Sequence, residues 1–350
     1  MRTKKVIISI LAILLATSCE MHQRMVRMVT TLEHNGKVHR EIYAYEAEVS
    51  NLDSAKFPFL FHRTPDWKIT SFDTAVKFNF FGENVEFSRK ISKSANSIEQ
   101  YSLEIQYDEE YRSFAQPEEF LAKHFRWFYT YYSFQTVYKK LQYEIPVPID
   151  KYLTKEEQLL WTQGDINKYK TMNGSEINDY LLDISNKFLE WYGRNRFEIS
   201  FEIVKKRTTG YNLDSIKEKI YPNSKEAQID PQTVCTVLDS LYKTIYFSEL
   251  YKTNKEALDK EFETETAVLN LVGTTIRYEL VIPDRLIKTD APIINSDTLI
   301  WKVDGMRLLF DDYTLTAEYR TPNTWAFVIS GLIVLIAVAC LILRKTRKCC

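Results

Sequence analysis

The chain has 350 residues, of which 45% are hydrophobic and 27% charged, and its formal net charge is −1. Seven of its 46 basic residues lie in the two terminal segments, so the part between them carries an excess of about eight acidic residues, which argues against nucleic acid as a partner. With only 9 Gly and 10 Pro, the composition indicates compact folding and excludes a flexible stalk.

The N-terminal segment has the pattern of a secretory signal. Three cations within the first five residues precede the apolar run 6–16, and two small residues follow it. At ~1.5 Å per residue this run would form a helix of about 16 Å, which is too short to cross a hydrocarbon layer of ~30 Å. Residues 1–18 are therefore predicted to be a signal peptide.

Two processing routes fit the segment Ala16-Thr17-Ser18-Cys19. Ala16 and Ser18 suit an ordinary signal peptidase, which would leave Cys19 as a plain thiol. The same four residues resemble the lipobox of bacterial lipoproteins, in which a cysteine after small residues is lipidated and becomes the new N-terminus. The usual Leu three residues before the cysteine is missing, and Leu15 stands one position earlier. We favour lipidation of Cys19, because this residue falls just past the apolar run.

The residues that follow predict short strands. Residues 24–50 alternate in hydrophobicity on both sides of Asn35-Gly36, the preferred pair for a two-residue hairpin turn in which both positions need φ > 0. The segment 116–125 is predicted instead as one or two helical turns, with Pro117 at the first position. Further alternating strands are predicted at 67–70, 74–82 and 101–107.

Residues 125–145 are dense in aromatic side chains and in Thr, which favours a strand over a helix. One hypothesis is an aromatic platform for a sugar or another flat ligand, with Trp127, Tyr129 and Tyr131 as the candidate ligand-binding residues. The alternative is a central strand that is packed on both faces, or that has one face solvated by tyrosines, because aromatic residues dominate protein cores through their buried area.

Helical patterns prevail in residues 148–262, at 153–161, 174–193 and 230–245. The strongest of them has Ser175 as its predicted N-cap and Gly193 as its predicted end. The segment 197–204 fits both the helical and the strand period. Cys235 lies beside the apolar stripe of the third helix and is predicted to be a small buried residue.

Strand patterns return after residue 262, at 266–273, 275–283, 298–303 and 313–319. The fold class is therefore predicted to be α+β, with a mixed or antiparallel sheet built from N- and C-terminal strands and a helical insertion between them. This organisation divides the exported part into a β-rich external segment, a helical insertion and a β-rich segment that completes the sheet, at 19–147, 148–262 and 263–322.

The C-terminal segment is predicted to cross a membrane. Residues 325–343 contain no charge, and 19 residues at ~1.5 Å each extend about 28 Å. The tail 344–350 holds four cations and is predicted to be cytoplasmic. The expected protein is a single-pass protein of the cytoplasmic (inner) membrane, with its main domain outside and the lipid bilayer as its partner at both ends.

The stretch "SDTLIWKVDGMRLLFDDYTLTAEYRTPNTWAF", with "TAEYR" shortly before the span, and the lipobox-like N-terminus resemble a loosely characterised group of bacterial lipoproteins. The resemblance covers the two termini and the last strands. It implies an N-terminal lipid cysteine, a β-rich external domain and one C-terminal transmembrane helix, and it brings no established activity.

Catalytic signals are absent from the sequence. The five histidines show no metal-ligand spacing, and no cofactor or nucleophile motif occurs, so we expect neither a metal nor a cofactor. Adjacent acidic pairs such as Glu118-Glu119 and Glu156-Glu157 are expected to be solvated surface.

Three functional hypotheses follow from these features. The first is a non-catalytic envelope protein that acts by binding a partner protein of the envelope, a lipid or a glycan. The second is an envelope hydrolase that uses two distant carboxylates. The third is a type I membrane protein of a eukaryotic secretory pathway.

Overall fold

The computed structural model describes residues 24–45, 66–81, 83–99, 117–141, 145–163, 172–224 and 229–346. The predicted signal peptide, Cys19 and the predicted strand 101–107 lie outside the described residues. The chain forms two compact units: a helical unit with residues 141–274 and 304–310, and a β-rich unit with residues 24–140, 275–303 and 311–350.

The β-rich unit contains a seven-stranded sheet with the order β3-β4-β2-β1-β7-β10-β9 and a four-stranded sheet with the order β5-β6-β11-β8. The strands are β1 (Arg24–Leu32), β2 (Val38–Tyr45), β3 (Lys68–Phe80), β4 (Glu83–Ala95), β5 (Glu118–Phe125), β6 (Tyr129–Tyr138), β7 (Thr274–Val281), β8 (Arg285–Thr289), β9 (Ile293–Asn295), β10 (Thr298–Asp304) and β11 (Tyr313–Pro322). In both sheets N-terminal strands lie beside C-terminal ones, which confirms the predicted α+β fold class.

The helical unit is built on one long helix that contacts four others. The α-helices among the described residues are α1 (Lys155–Gln163), α2 (Gly174–Arg207), α3 (Lys217–Ser224), α4 (Pro231–Tyr242), α5 (Tyr246–Leu271), the single turn α6 (Gly305–Leu308) and α7 (Thr324–Thr346). Helix α2 packs against α4 and α5 and buries Phe188, Trp191, Phe197 and Phe201. Helix α7 belongs to the β-rich unit.

The first hairpin is confirmed, but its turn differs from the prediction. The amide N–H of Glu33 donates to the carbonyl of Lys37 at 2.9 Å, so the loop between them has three residues, not two. Gly36 has φ +91°. Asn35 acts through its side chain, whose carbonyl oxygen accepts from the amide of Lys37 at 2.8 Å. A three-residue loop with Gly in the left-handed region is a common hairpin connection.

The segment 116–125 was predicted as helix, and this prediction is wrong. Residues 118–125 form β5, which pairs along its whole length with β6. The Glu, Leu, Ala and Lys residues of β5 favour a helix locally, but the pairing with β6 overrides this propensity.

Both predicted boundaries of helix α2 are also wrong. Helix α2 does not end at Gly193 but continues to Arg207, and it includes the ambiguous segment 197–204. One interior Gly costs a helix only about 1 kcal/mol, and the aromatic stripe continues beyond it. The N-cap is Asn173, which forms a capping box with Glu176 in place of the predicted Ser175.

The predicted strand 266–273 is for the most part the end of a helix. Helix α5 runs to Leu271, and β7 begins at Thr274. An apolar run of this length fits a buried helix end as well as a strand.

A buried ion pair joins the two sheets. Arg40 on β2 donates to both carboxylate oxygens of Glu119 on β5, at 3.0 and 2.7 Å, and the two residues are 2% and 4% exposed. The remaining polar atoms also have partners: Thr30 accepts from the Arg40 Nε at 3.0 Å, and Tyr278 and Thr136 donate to Glu119 at 3.1 and 3.3 Å. The expectation that the pair Glu118-Glu119 is solvated is therefore wrong for Glu119.

We predict that Glu119→Leu destabilises the protein by about 3–5 kcal/mol, because it leaves a buried guanidinium without its counter-charge. The double variant Arg40→Met/Glu119→Leu should recover most of this loss, since the unpaired charge is then removed. Urea unfolding of the full chain in detergent micelles, followed by circular dichroism, measures both. The exposed neighbour provides a control, because Glu118→Leu should change the stability by no more than about 0.5 kcal/mol. Equal losses in the single and the double variant would contradict the account.

Candidate functional site

A single residue, Asn323, separates the last strand of the β-rich unit from helix α7. Its side-chain amide donates to the carbonyls of Arg126 and Trp127, at 2.7 and 3.2 Å, and its amide oxygen accepts from the Thr130 hydroxyl at 2.9 Å. Its backbone N–H donates to the carbonyl of Phe128 at 2.9 Å. Strand β11, helix α7 and the turn between β5 and β6 are thus held together at one residue.

Aromatic rings surround this junction on both sides. We call them the aromatic cluster, and it consists of Phe125, Trp127, Phe128 and Tyr129 from the β5–β6 hairpin and Trp325 and Phe327 from α7. The Phe125 ring stacks on Trp325 at 6.2 Å between centroids, Trp127 meets Trp325 edge-on at 5.2 Å, and Phe128 lies 4.9 Å from Phe327. All of these rings except Tyr129 are between 41% and 53% exposed, so the cluster is a surface and not a core.

The indole of Trp127 reaches along α7. Its Nε1 donates to the Ser330 hydroxyl at 2.9 Å, in the second turn of the helix. The turn between β5 and β6 therefore lies beside the helix, past the residue at which the helix begins.

The three candidate ligand-binding residues, Trp127, Tyr129 and Tyr131, lie at the β5–β6 turn and on the following strand. Tyr129 and Tyr131 are half-buried, and a guanidinium lies over each ring: Arg320 at 4.4 Å from the centroid of Tyr129, and Arg126 at 5.1 Å from that of Tyr131. A flat ligand would have to displace or share these cations. Ligand binding by the three aromatic residues stays a prediction.

The alternative interpretation of the aromatic segment is confirmed for the inner face of β6. This strand lies between β5 and β11, and its side chains Tyr132, Phe134 and Tyr138 are buried. Tyr132 also stacks on Tyr319 of β11, with centroids 4.9 Å apart.

The helical unit contains a cleft of about 350 Å³ whose lining includes Glu198, Glu202 and Glu265. The carboxylate of Glu198 is bonded to Arg194 at 2.6 Å and to Lys217 at 2.5 Å, and Glu202 also contacts Lys217 at 3.3 Å. Both carboxylates are thus engaged in ion pairs with neighbouring cations. This cleft gives the hydrolase hypothesis no support.

The thiol of Cys235 is buried on α4, as predicted, and burial followed by the nearby carboxylates of Asp239 and Asp230 raises its pKa to about 12. At neutral pH such a cysteine is almost fully protonated and therefore unreactive. Within the described ranges, no group of three or more His, Cys, Asp or Glu residues is placed to hold a metal ion.

Sequence reasoning missed Asn323 and Ser330. An Asn directly before an apolar helical run is a recognisable N-cap signal, and Asn323 does occupy that position. Nothing local, however, predicts that its side chain holds a turn about 200 residues away, because that partner is set by the tertiary fold.

Comparison with known proteins identifies no family. No family model matches the chain, and no curated protein is similar to it. Among solved structures, the folded domain of the Mycobacterium tuberculosis protein LppM aligns over 86% of this chain and 92% of that chain, with 8% identity and a TM-score of 0.28. A likeness at this score supports no statement about fold or function.

Proposed function

We propose that this protein is a non-catalytic, membrane-anchored envelope protein whose external units bind a partner. The observation that carries the proposal is helix α7, in which every residue from Gly331 to Arg344 is exposed. Within Thr324–Arg344, the most apolar window of 18 residues has a mean hydropathy of 3.1. At ~1.5 Å per residue they extend about 31 Å, enough to cross a bilayer. An apolar surface of this size is stable in lipid and unfavourable in water.

The orientation follows from charge. Arg344 and Lys345 end the apolar stretch, and Arg347 and Lys348 follow in the sequence. Cations flanking a span favour the cytoplasmic side, so the two compact units face the outside of the cytoplasmic membrane. A signal peptide at residues 1–18 would export the same part of the chain, which makes the two termini consistent.

The span can be tested by two substitutions at its centre. Val334→Arg/Leu335→Arg should release the protein from membranes into the soluble fraction after alkaline carbonate extraction, because each arginine costs about 2.5–3.5 kcal/mol at mid-span. The chain is exported with a cleavable signal that directs no lipidation, and with Cys19→Ser, so that α7 is the only anchor tested. Leu241→Arg, at an exposed leucine of the helical unit, should remain in the membrane fraction. Membrane retention of the double variant would contradict the proposal.

Lipidation of Cys19 is the second part of the proposed anchoring. It rests on the position of the cysteine directly after the signal-like segment. Mass spectrometry of the mature N-terminal peptide should find Cys19 as the first residue, carrying acyl chains. An unmodified N-terminus at Cys19 would contradict lipidation and leave α7 as the proposed membrane anchor. An acylated Cys19 would exclude the eukaryotic secretory alternative.

For the partner we propose an envelope protein in preference to a glycan. Strand β9, at one edge of the seven-stranded sheet, exposes Ile293 and Ile294, and β8, at an edge of the other sheet, exposes Ile287. Exposed apolar edge strands are the surfaces on which a partner protein adds a strand.

A photo-crosslinking amino acid at Ile294 should give a crosslinked protein adduct in intact cells. The control is Gln135, an exposed residue of β6, which lies between two strands of the other sheet and offers no free edge, and it should give none. Equal adducts at both positions, or none at either, would count against an edge-bound protein partner.

A further inference from the structure

We infer that the turn between β5 and β6 inserts into the interfacial layer of the bilayer beside α7, so that the β-rich unit contacts lipid at a second point. The inference rests on the proposed function, in which α7 spans the membrane. The exposed aromatic cluster thus contacts the surface of the same bilayer that surrounds α7.

Depth along the helix is the first argument. Ser330, which accepts the indole N–H of Trp127, comes five residues after Trp325. At ~1.5 Å per residue this is about 7–8 Å along the axis, similar to the ~5–8 Å thickness of the interfacial layer on each side of a bilayer. If Trp325 lies at the outer edge of this layer, Trp127 reaches its inner boundary.

The backbone of the turn is the second and independent argument. The carbonyls of Arg126, Trp127 and Phe128 all accept hydrogen bonds from Asn323, and the N–H of Arg126 donates to the carbonyl of Tyr129 at 2.9 Å. A turn in water leaves such groups to the solvent, whereas irregular backbone at membrane depth must have protein partners. The indole N–H of Trp127 likewise has a protein partner, because it donates to the Ser330 hydroxyl.

Side-chain composition is the third argument. Residues 120–132 and 319–346 contain no carboxylate. Lys123 and Arg320 lie on β5 and β11 beside the turn, and the guanidinium of the turn residue Arg126 lies over the Tyr131 ring. Exposed aromatic rings next to cations suit the headgroup region of a membrane with anionic lipids. This local basic character contrasts with the acidic balance of the external part as a whole.

The test uses the full chain, with its native cysteines replaced by alanine and one cysteine introduced for an environment-sensitive fluorophore. The chain is reconstituted into vesicles of phosphatidylcholine and phosphatidylglycerol, with and without brominated phosphatidylcholine. The probe is placed at Phe128→Cys and, in a second variant, at Phe125→Cys. Both should show blue-shifted emission and loss of intensity with brominated lipid.

Two further positions make the result decisive. Gln135→Cys, at an exposed residue of β6 about 23 Å along the strand from Phe128, should show neither the shift nor the quenching. Leu332→Cys on α7 should be strongly quenched. Quenching at Leu332 with water-like emission at Phe125 and Phe128 would overturn the inference and leave the anchor intact. Water-like emission at Leu332 as well would overturn the proposed function and the inference together.

Discussion

The one-residue junction at Asn323 is the constraint on which this account depends. A flexible linker would let the β-rich unit tumble above the membrane, independently of the helix. Here β11 passes into α7 through one residue whose side chain also holds the β5–β6 turn. The sheet, the turn and the helix must therefore move as one body, and placing α7 in a bilayer fixes the height and the tilt of the β-rich unit.

The interior of the β-rich unit supports the same arrangement. Strand β5 carries Glu119 at one end, within the ion pair that joins the sheets, and Phe125 at the other, within the aromatic cluster. These two residues are six positions apart, so their side chains lie on the same face of the strand. A buried, fully bonded ion pair specifies register more than it adds stability, and a shifted β5 would move the cluster away from α7. We therefore infer that the Arg40–Glu119 pair, by fixing the register of β5, fixes the position of the membrane-facing turn beside α7.

Local signals were sufficient for part of this architecture. The apolar length of α7, the first hairpin and the α+β class could be predicted, because each depends on periodicity or composition within one segment. Strand β5 was mistaken for a helix and Glu119 for a solvated residue, because their environment is created by β6 and by Arg40, which are distant in sequence. Trp127 was singled out from the sequence, but its bond to Ser330 depends on the packing of two segments about 200 residues apart.

The central claim is that the bulk of the chain is outside the cytoplasmic membrane, held by α7. Labelling of intact spheroplasts with a membrane-impermeant maleimide tests it most directly. One variant carries a cysteine at Lys77 in the β-rich unit, and a second carries one at Lys252 in the helical unit; both positions are exposed. Cys350 of the tail serves as the internal reference in both variants. The account predicts labelling at 77 and 252 in intact spheroplasts, and at Cys350 only after permeabilisation. Protection of 77 and 252 until the membrane is opened would contradict it.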